Sequence, residues 1–223
     1  MIKTALVLLV TATVLSAQAT RSVTATGNAS VYVQPDQVII DATVTTQGKT
    51  AQEAGTANAT QTTAVLAALN MLLGSGANIQ TINYTVSPNY NYPPSGAPVL
   101  VGYSASNTVE VTLGNLSLAG PVIDTATQAG ATTVSGLRFT LKNMEPAKLQ
   151  ALQQAATRAQ SHAAAMASAL GASVGAIVTL QEGAAVQPVV YPVMAAAPEG
   201  TPTPVNPGLV EVSATVTLQA ALN

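Results

Sequence analysis

From Val38 to Thr45 the chain alternates in character. Val38, Ile40, Ala42 and Val44 share one parity; Asp41, Thr43 and Thr45 share the other. Successive side chains of extended backbone point to opposite faces, so this period of two predicts a half-buried strand. The pattern recurs in VGYSASNTVEVTL, 101–113. Val101, Tyr103, Ala105, Val109, Val111 and Leu113 fall on one face; Gly102, Ser104, Ser106, Thr108, Glu110 and Thr112 fall on the other. Those hydroxyls line up because one face meets water, not because they converge on a substrate. Asn107 breaks the rule by falling on the apolar face. It is expected to serve a bulge, bond a neighbouring backbone group or touch a ligand. The last strand, within 209–222, sets Val210, Val212, Ala214, Val216 and Leu218 against Glu211, Ser213, Thr215 and Thr217.

The remaining strands are less regular. Residues 22–33 read as short segments broken at Gly27-Asn28, a turn dipeptide, and Pro35-Asp36 makes a second turn. In 78–92, Ile82, Tyr84 and Val86 alternate with polar residues before Pro88, and Pro93-Pro94-Ser95-Gly96 forms a loop. With 101–113 this makes a hairpin. In 132–141, Leu137, Phe139 and Leu141 are expected inward and Arg138 and Thr140 outward; 176–181 is a short strand. Six prolines within 183–208 exclude a central strand and predict an exposed loop or arm.

Three segments carry helical signals. Thr50 and Glu53 form a capping box, and a helix should run through Ala57, Ala64, Val65, Ala68, Leu69 and Leu72 to Gly74. A second lies within 115–129, with Asn115 as N-cap, Gly130 as C-cap and Pro121 moving its start towards Gly120. The third starts at Pro146 and closes at Gly171. Its Leu149, Leu152, Ala156, Ala159, Ala163, Met166 and Leu170 make one apolar stripe, expected in the core. The order β-β-α-β-β-α-β-α-β-(arm)-β predicts an α+β fold of mainly antiparallel sheets covered by helices.

Composition narrows the function classes. Only 7% of the 223 residues are charged and net charge is −2, so no basic stripe exists and no nucleic-acid partner is expected. There is no cysteine, which removes thiolate chemistry and disulfides. Residues 1–19 have one lysine, a short apolar run and Ala17-Gln18-Ala19, the pattern of a signal peptide. Export to the periplasm or outer envelope is the expectation, with 20–223 as the mature domain and no transmembrane helix in it. His162 is the sole histidine, placed on a helix surface without a fellow ligand. The nine carboxylates show no paired spacing, and a hydrolytic site would require their tertiary approach. No enzyme activity, cofactor or metal is expected. Tyr84, Tyr90, Tyr92 and Tyr103 cluster about the hairpin, and with Asn107 they are the candidate ligand or interface residues.

Four segments, 23–44, 78–92, 101–141 and 206–222, together resemble the SIMPL-domain family of bacterial periplasmic immunogenic and oxidative-stress-defence proteins. Pro35-Asp36, the tyrosine strand before Pro88, Gly102-Tyr103 and Pro207-Gly208 are the most specific points. The resemblance implies an envelope protein of two interlocking subdomains with no accepted catalytic site. Some members are similar to channel-like rings of many subunits; others are tied to stress tolerance. A self-associating, non-enzymatic envelope protein is therefore expected, with an envelope protein as a further partner. The alternative is a small-ligand or client-binding module.

Overall fold

The structure is a computed structural model that describes residues 21–74, 77–183, 189–190 and 203–223. The expected leader and most of the expected 183–208 arm lie outside the described residues. Element order matches the expectation. β1 (Ser22–Val33) and β2 (Gln37–Gly48) precede α1 (Ala51–Leu73), then β3 (Asn78–Asn91), β4 (Val99–Leu113) and α2 (Ala119–Gln128). β5 (Thr133–Thr140), α3 (Glu145–Ala169), β6 (Val174–Glu182), β7 (Val189–Val190) and β8 (Val210–Leu222) complete it. Two antiparallel sheets result. One has the order β3-β4-β2-β5; the other has β1-β8-β6, with β7 also pairing β8.

The first sheet is covered by α1 and α2. Val38, Ile40, Ala42 and Val44 of β2 and Val109, Val111 and Leu113 of β4 pack on Val65, Leu69, Val122 and Phe139. The Thr50 hydroxyl accepts from the Glu53 amide at 3.1 Å, while the Glu53 carboxylate accepts from the amide of Lys49, one residue before the expected donor. Asn58 of α1 is fully buried. Its Nδ2 donates to the Val44 and Ala105 carbonyls at 2.8 and 3.1 Å, and Thr62 donates to its Oδ1. This polar rivet fixes α1 on β2 and β4.

The second sheet corrects two expectations. β1 is one unbroken strand, and Gly27-Asn28 is not a turn. A Cβ on Gly27 would collide with the carbonyl oxygen of Ala155 and the nitrogen of Ala159. The glycine is there so that α3 can rest on the strand backbone. That closeness also decides which face of α3 is buried. Ala147, Ala151, Ala155, Ala159, Ala163 and Ala167, each four residues apart, face the sheet, whereas Leu149, Met166 and Leu170 are exposed. Of the expected stripe, only Ala159 and Ala163 are fully buried. A leucine face would need a wider helix–sheet gap than Gly27 permits.

Bulges account for the other differences. Register shifts at Gly136-Leu137 and at Ile82 leave Leu137 and Ile82 exposed, and Ile79 joins the core instead. β3 runs straight through Pro88, which an edge strand tolerates. Asn115 caps a 3-10 turn, Leu116–Leu118, ahead of α2. Val189–Val190 do form a short strand, within the segment expected to be a loop.

Candidate interaction surface

Exposed apolar side chains gather at the β3–β4 hairpin. β2 accompanies β4 only as far as the Gly48–Tyr103 pair. There the two chains come so close that a Cβ on Gly102 would lie 2.8 Å from the Gly48 carbonyl oxygen. Beyond it, among the described residues, Asn89–Asn91 and Val99–Gly102 pair only with each other, so the tip is a two-stranded arm with neither outer edge paired. Tyr92 is 72% exposed and Val101 62%, and Tyr90, Val99 and Leu100 are exposed with them. The Tyr90 and Tyr92 rings lie 6.5 Å apart and tilted. No charged residue occurs between Glu53 and Glu110, so the arm is entirely uncharged. Contiguous exposed apolar patches are a common feature of contact surfaces, which makes the arm the candidate.

The other candidates lie nearer the sheet. Tyr84 and Asn107 face each other across β3 and β4, and Asn107 also opposes Val44. The Tyr84 hydroxyl lies over Gly55, where a Cβ would sit 3.3 Å from it. Asn107 Oδ1 is buried without a hydrogen-bond partner among the described residues. Tyr103 is half-buried opposite Pro88 and Gly48, and lines a shallow groove of about 270 Å³ with Gln47, Lys49, Asn89 and Val101. The structure therefore joins Tyr90 with Tyr92, and Tyr84 with Asn107, but does not bring all five to one point.

A second apolar surface escaped the sequence reading. α3 lies over β1 and β8 and, among the described residues, β6 is left largely uncovered beside a groove of about 330 Å³. Leu152, Ala156, Leu180 and Val216 line it with Gln153 and Glu182. Leu180 is 59% exposed, and Leu149, Ile177 and Val178 are exposed nearby. The signal was a helix with both an alanine face and a leucine face, more apolar surface than one sheet can cover.

The polar groups serve the scaffold. His162 Nδ1 lies 2.8 Å from the Thr26 carbonyl and must donate to it, and Arg158 donates to the Asn28 carbonyl at 2.7 Å. Two carbonyls of edge strand β1 are thus taken by α3. Asp41 and Glu110, opposite each other on β2 and β4, meet at Arg138 of β5, each 2.9 Å from it. A hydrogen bond to Asp41 and the charges of Asp41 and Glu110 push the Arg138 pKa further up. Among the described residues no cluster of His, Asp or Glu could hold a metal, and no helix is long and apolar enough to cross a membrane. Arg138→Gln should lower stability by only about 1 kcal/mol, because the guanidinium is half exposed. The loss should shrink in about 1 M salt, read from urea melts. A salt-independent loss would mean that Arg138 acts by packing instead.

The family model described as SIMPL, protein of unknown function (DUF541), matches residues 23–220. The chain is also similar to the 26 kDa periplasmic immunogenic proteins of Brucella melitensis biotype 1 (strain ATCC 23456 / CCUG 17765 / NCTC 10094 / 16M) and Brucella abortus (strain S19). Each is 29% identical over 134 residues, which is 58% of this chain and 54% of the relative. The chain thus spans about half the length of the curated relatives it matches. With the α+β architecture and the element order above, these matches settle the family: the chain belongs to SIMPL and is a periplasmic protein of the cell envelope.

Proposed function

We propose that the protein is non-enzymatic, acts by surface contact and self-associates through the β3–β4 arm. The observation that carries this is the arm itself: uncharged, with exposed apolar side chains, and unpaired at both outer edges among the described residues. A lone two-stranded ribbon is marginal in water and gains stability from a partner. Support for the non-enzymatic part is that Asp41 and Glu110 are held in an ion pair on an open sheet face, while His162 is committed to a backbone carbonyl. The resemblance adds a role in envelope or oxidative-stress tolerance, tested by peroxide challenge of a strain lacking the protein. Light scattering across a concentration series tests the assembly. Wild-type protein should exceed monomer mass, and Tyr92→Asp with Val101→Asp should return it to monomer with an unchanged circular dichroism spectrum. A strict monomer at high concentration would remove the reading.

A second reading, a small-ligand or client-binding module, rests on the unpartnered Oδ1 of Asn107 beside Tyr84. Envelope metabolites should then raise Tm saturably, an effect lost in Asn107→Leu. No hit across the screen would retire it.

A further inference from the structure

The self-association proposed above leaves open what the arm docks against, and the fold offers one acceptor of matching chemistry. We infer that the arm of one copy seats in the groove between α3 and β6 of the next copy, so that assembly runs head to tail. The inference rests on the self-association reading and names its partner surface.

Strand addition requires a free edge on both sides. β6 ends the β1-β8-β6 order and has no neighbour beyond it among the described residues. The opposite edge, β1, already gives the Thr26 and Asn28 carbonyls to His162 and Arg158. Helix side chains that occupy an edge in this way oppose pairing there. β6 is therefore the receptive edge of that sheet. On the arm, Val99–Val101 lies beyond the end of β2, so its backbone groups that point away from β3 have no strand partner among the described residues and no proline interrupts it, whereas the β3 side carries Pro88. Added beside β6, that segment would donate and accept main-chain bonds, and alternate side chains would fall into the groove. The exposed side chains of Val99, Leu100 and Val101 are the ones that would meet Leu152 and Leu180.

Charge favours the same pairing. The carboxylate at the groove, Glu182, is already bonded to Lys148 at 2.9 Å, and the arm brings no charge of its own. The two arm strands therefore add no ion to the contact, and Lys49, which flanks Val101 at the base of the arm, is exposed. Arm and groove are different surfaces, so the interface is heterologous: it closes into a ring or runs on as a filament, and does not stop at a two-fold dimer.

Mixing two variants tests this. Val101→Asp disables the arm and spares the groove; Leu180→Asp disables the groove and spares the arm. Both positions are largely exposed, so both proteins should fold, checked by circular dichroism and Tm. Each alone should need at least about 100-fold more protein to assemble than wild type, because docking would bury a lone carboxylate. Mixed in equal amounts, they should form a heterodimer that grows no further, since one arm and one groove remain disabled. Assembly of Leu180→Asp at wild-type concentrations would overturn the groove as acceptor while leaving self-association intact. Mixed variants that stay monomeric would overturn the head-to-tail pairing. A wild type that is monomeric throughout would instead defeat the underlying reading.

Discussion

Gly27→Val should lower the melting temperature by about 6–12 °C. The substituent would be driven into the α3 backbone at Ala155 and Ala159, and neither atom it meets belongs to a side chain that can swing away. Overpacking against fixed backbone costs on the order of 3 kcal/mol. In a domain of this size each kcal/mol moves Tm by roughly 2–4 °C. α3 must lift from β1, and with it the alanine face loses contact with β8 as well. Thermal melts by circular dichroism would show it. A variant melting within a degree or two of wild type would mean that α3 does not rest on β1 at this point.

Asn58→Asp should be the most pH-sensitive substitution in the protein. The amide nitrogen of Asn58 bonds two strand carbonyls in a fully buried site. A carboxylate there would face two acceptors and water would not reach it. An uncompensated buried charge costs about 3–5 kcal/mol, so the variant should be strongly destabilised at pH 7. Burial favours the neutral acid, which raises the folded-state pKa above the unfolded value of about 3.9. Between those two values the folded state binds more protons than the unfolded state. Stability should therefore rise as pH falls through that window, because the protonated acid regains one donor. Urea melts from pH 7 down to about 4 would follow it. A variant whose loss is constant over that range would show that Asn58 acts through shape alone.

Much of the fold was legible because it rests on local rules. Alternation in β2, β4 and β8 placed their buried faces correctly, and the Thr50–Glu53 box marked the start of α1. The failures concern how closely elements approach. A count of apolar positions ranks leucine above alanine and so puts Leu149, Met166 and Leu170 in the core; only the strand beneath, with its missing Cβ at Gly27, shows that α3 presents alanine. Leu137 and Ile82 were misplaced because each bulge reverses the parity of the residues beyond it. The surface was half legible. The tyrosines announced the hairpin, but that its tip outruns β2 is a matter of register, and the groove beside β6 arises from the same misplaced face of α3.

In the smaller sheet Ser22 lies opposite Ala221, and the pairing continues to Val33 opposite Val210. The first described strand thus waits for the last. All four strands of the other sheet lie between residues 37 and 140, and can pair without any residue beyond them. Closing the long-range pair must be deferred, at the entropic cost of a loop spanning nearly the whole domain. Until β8 arrives, Val23, Ala25, Ala29 and Val31 have no sheet to complete, and that interval is when this chain most needs shielding from its neighbours.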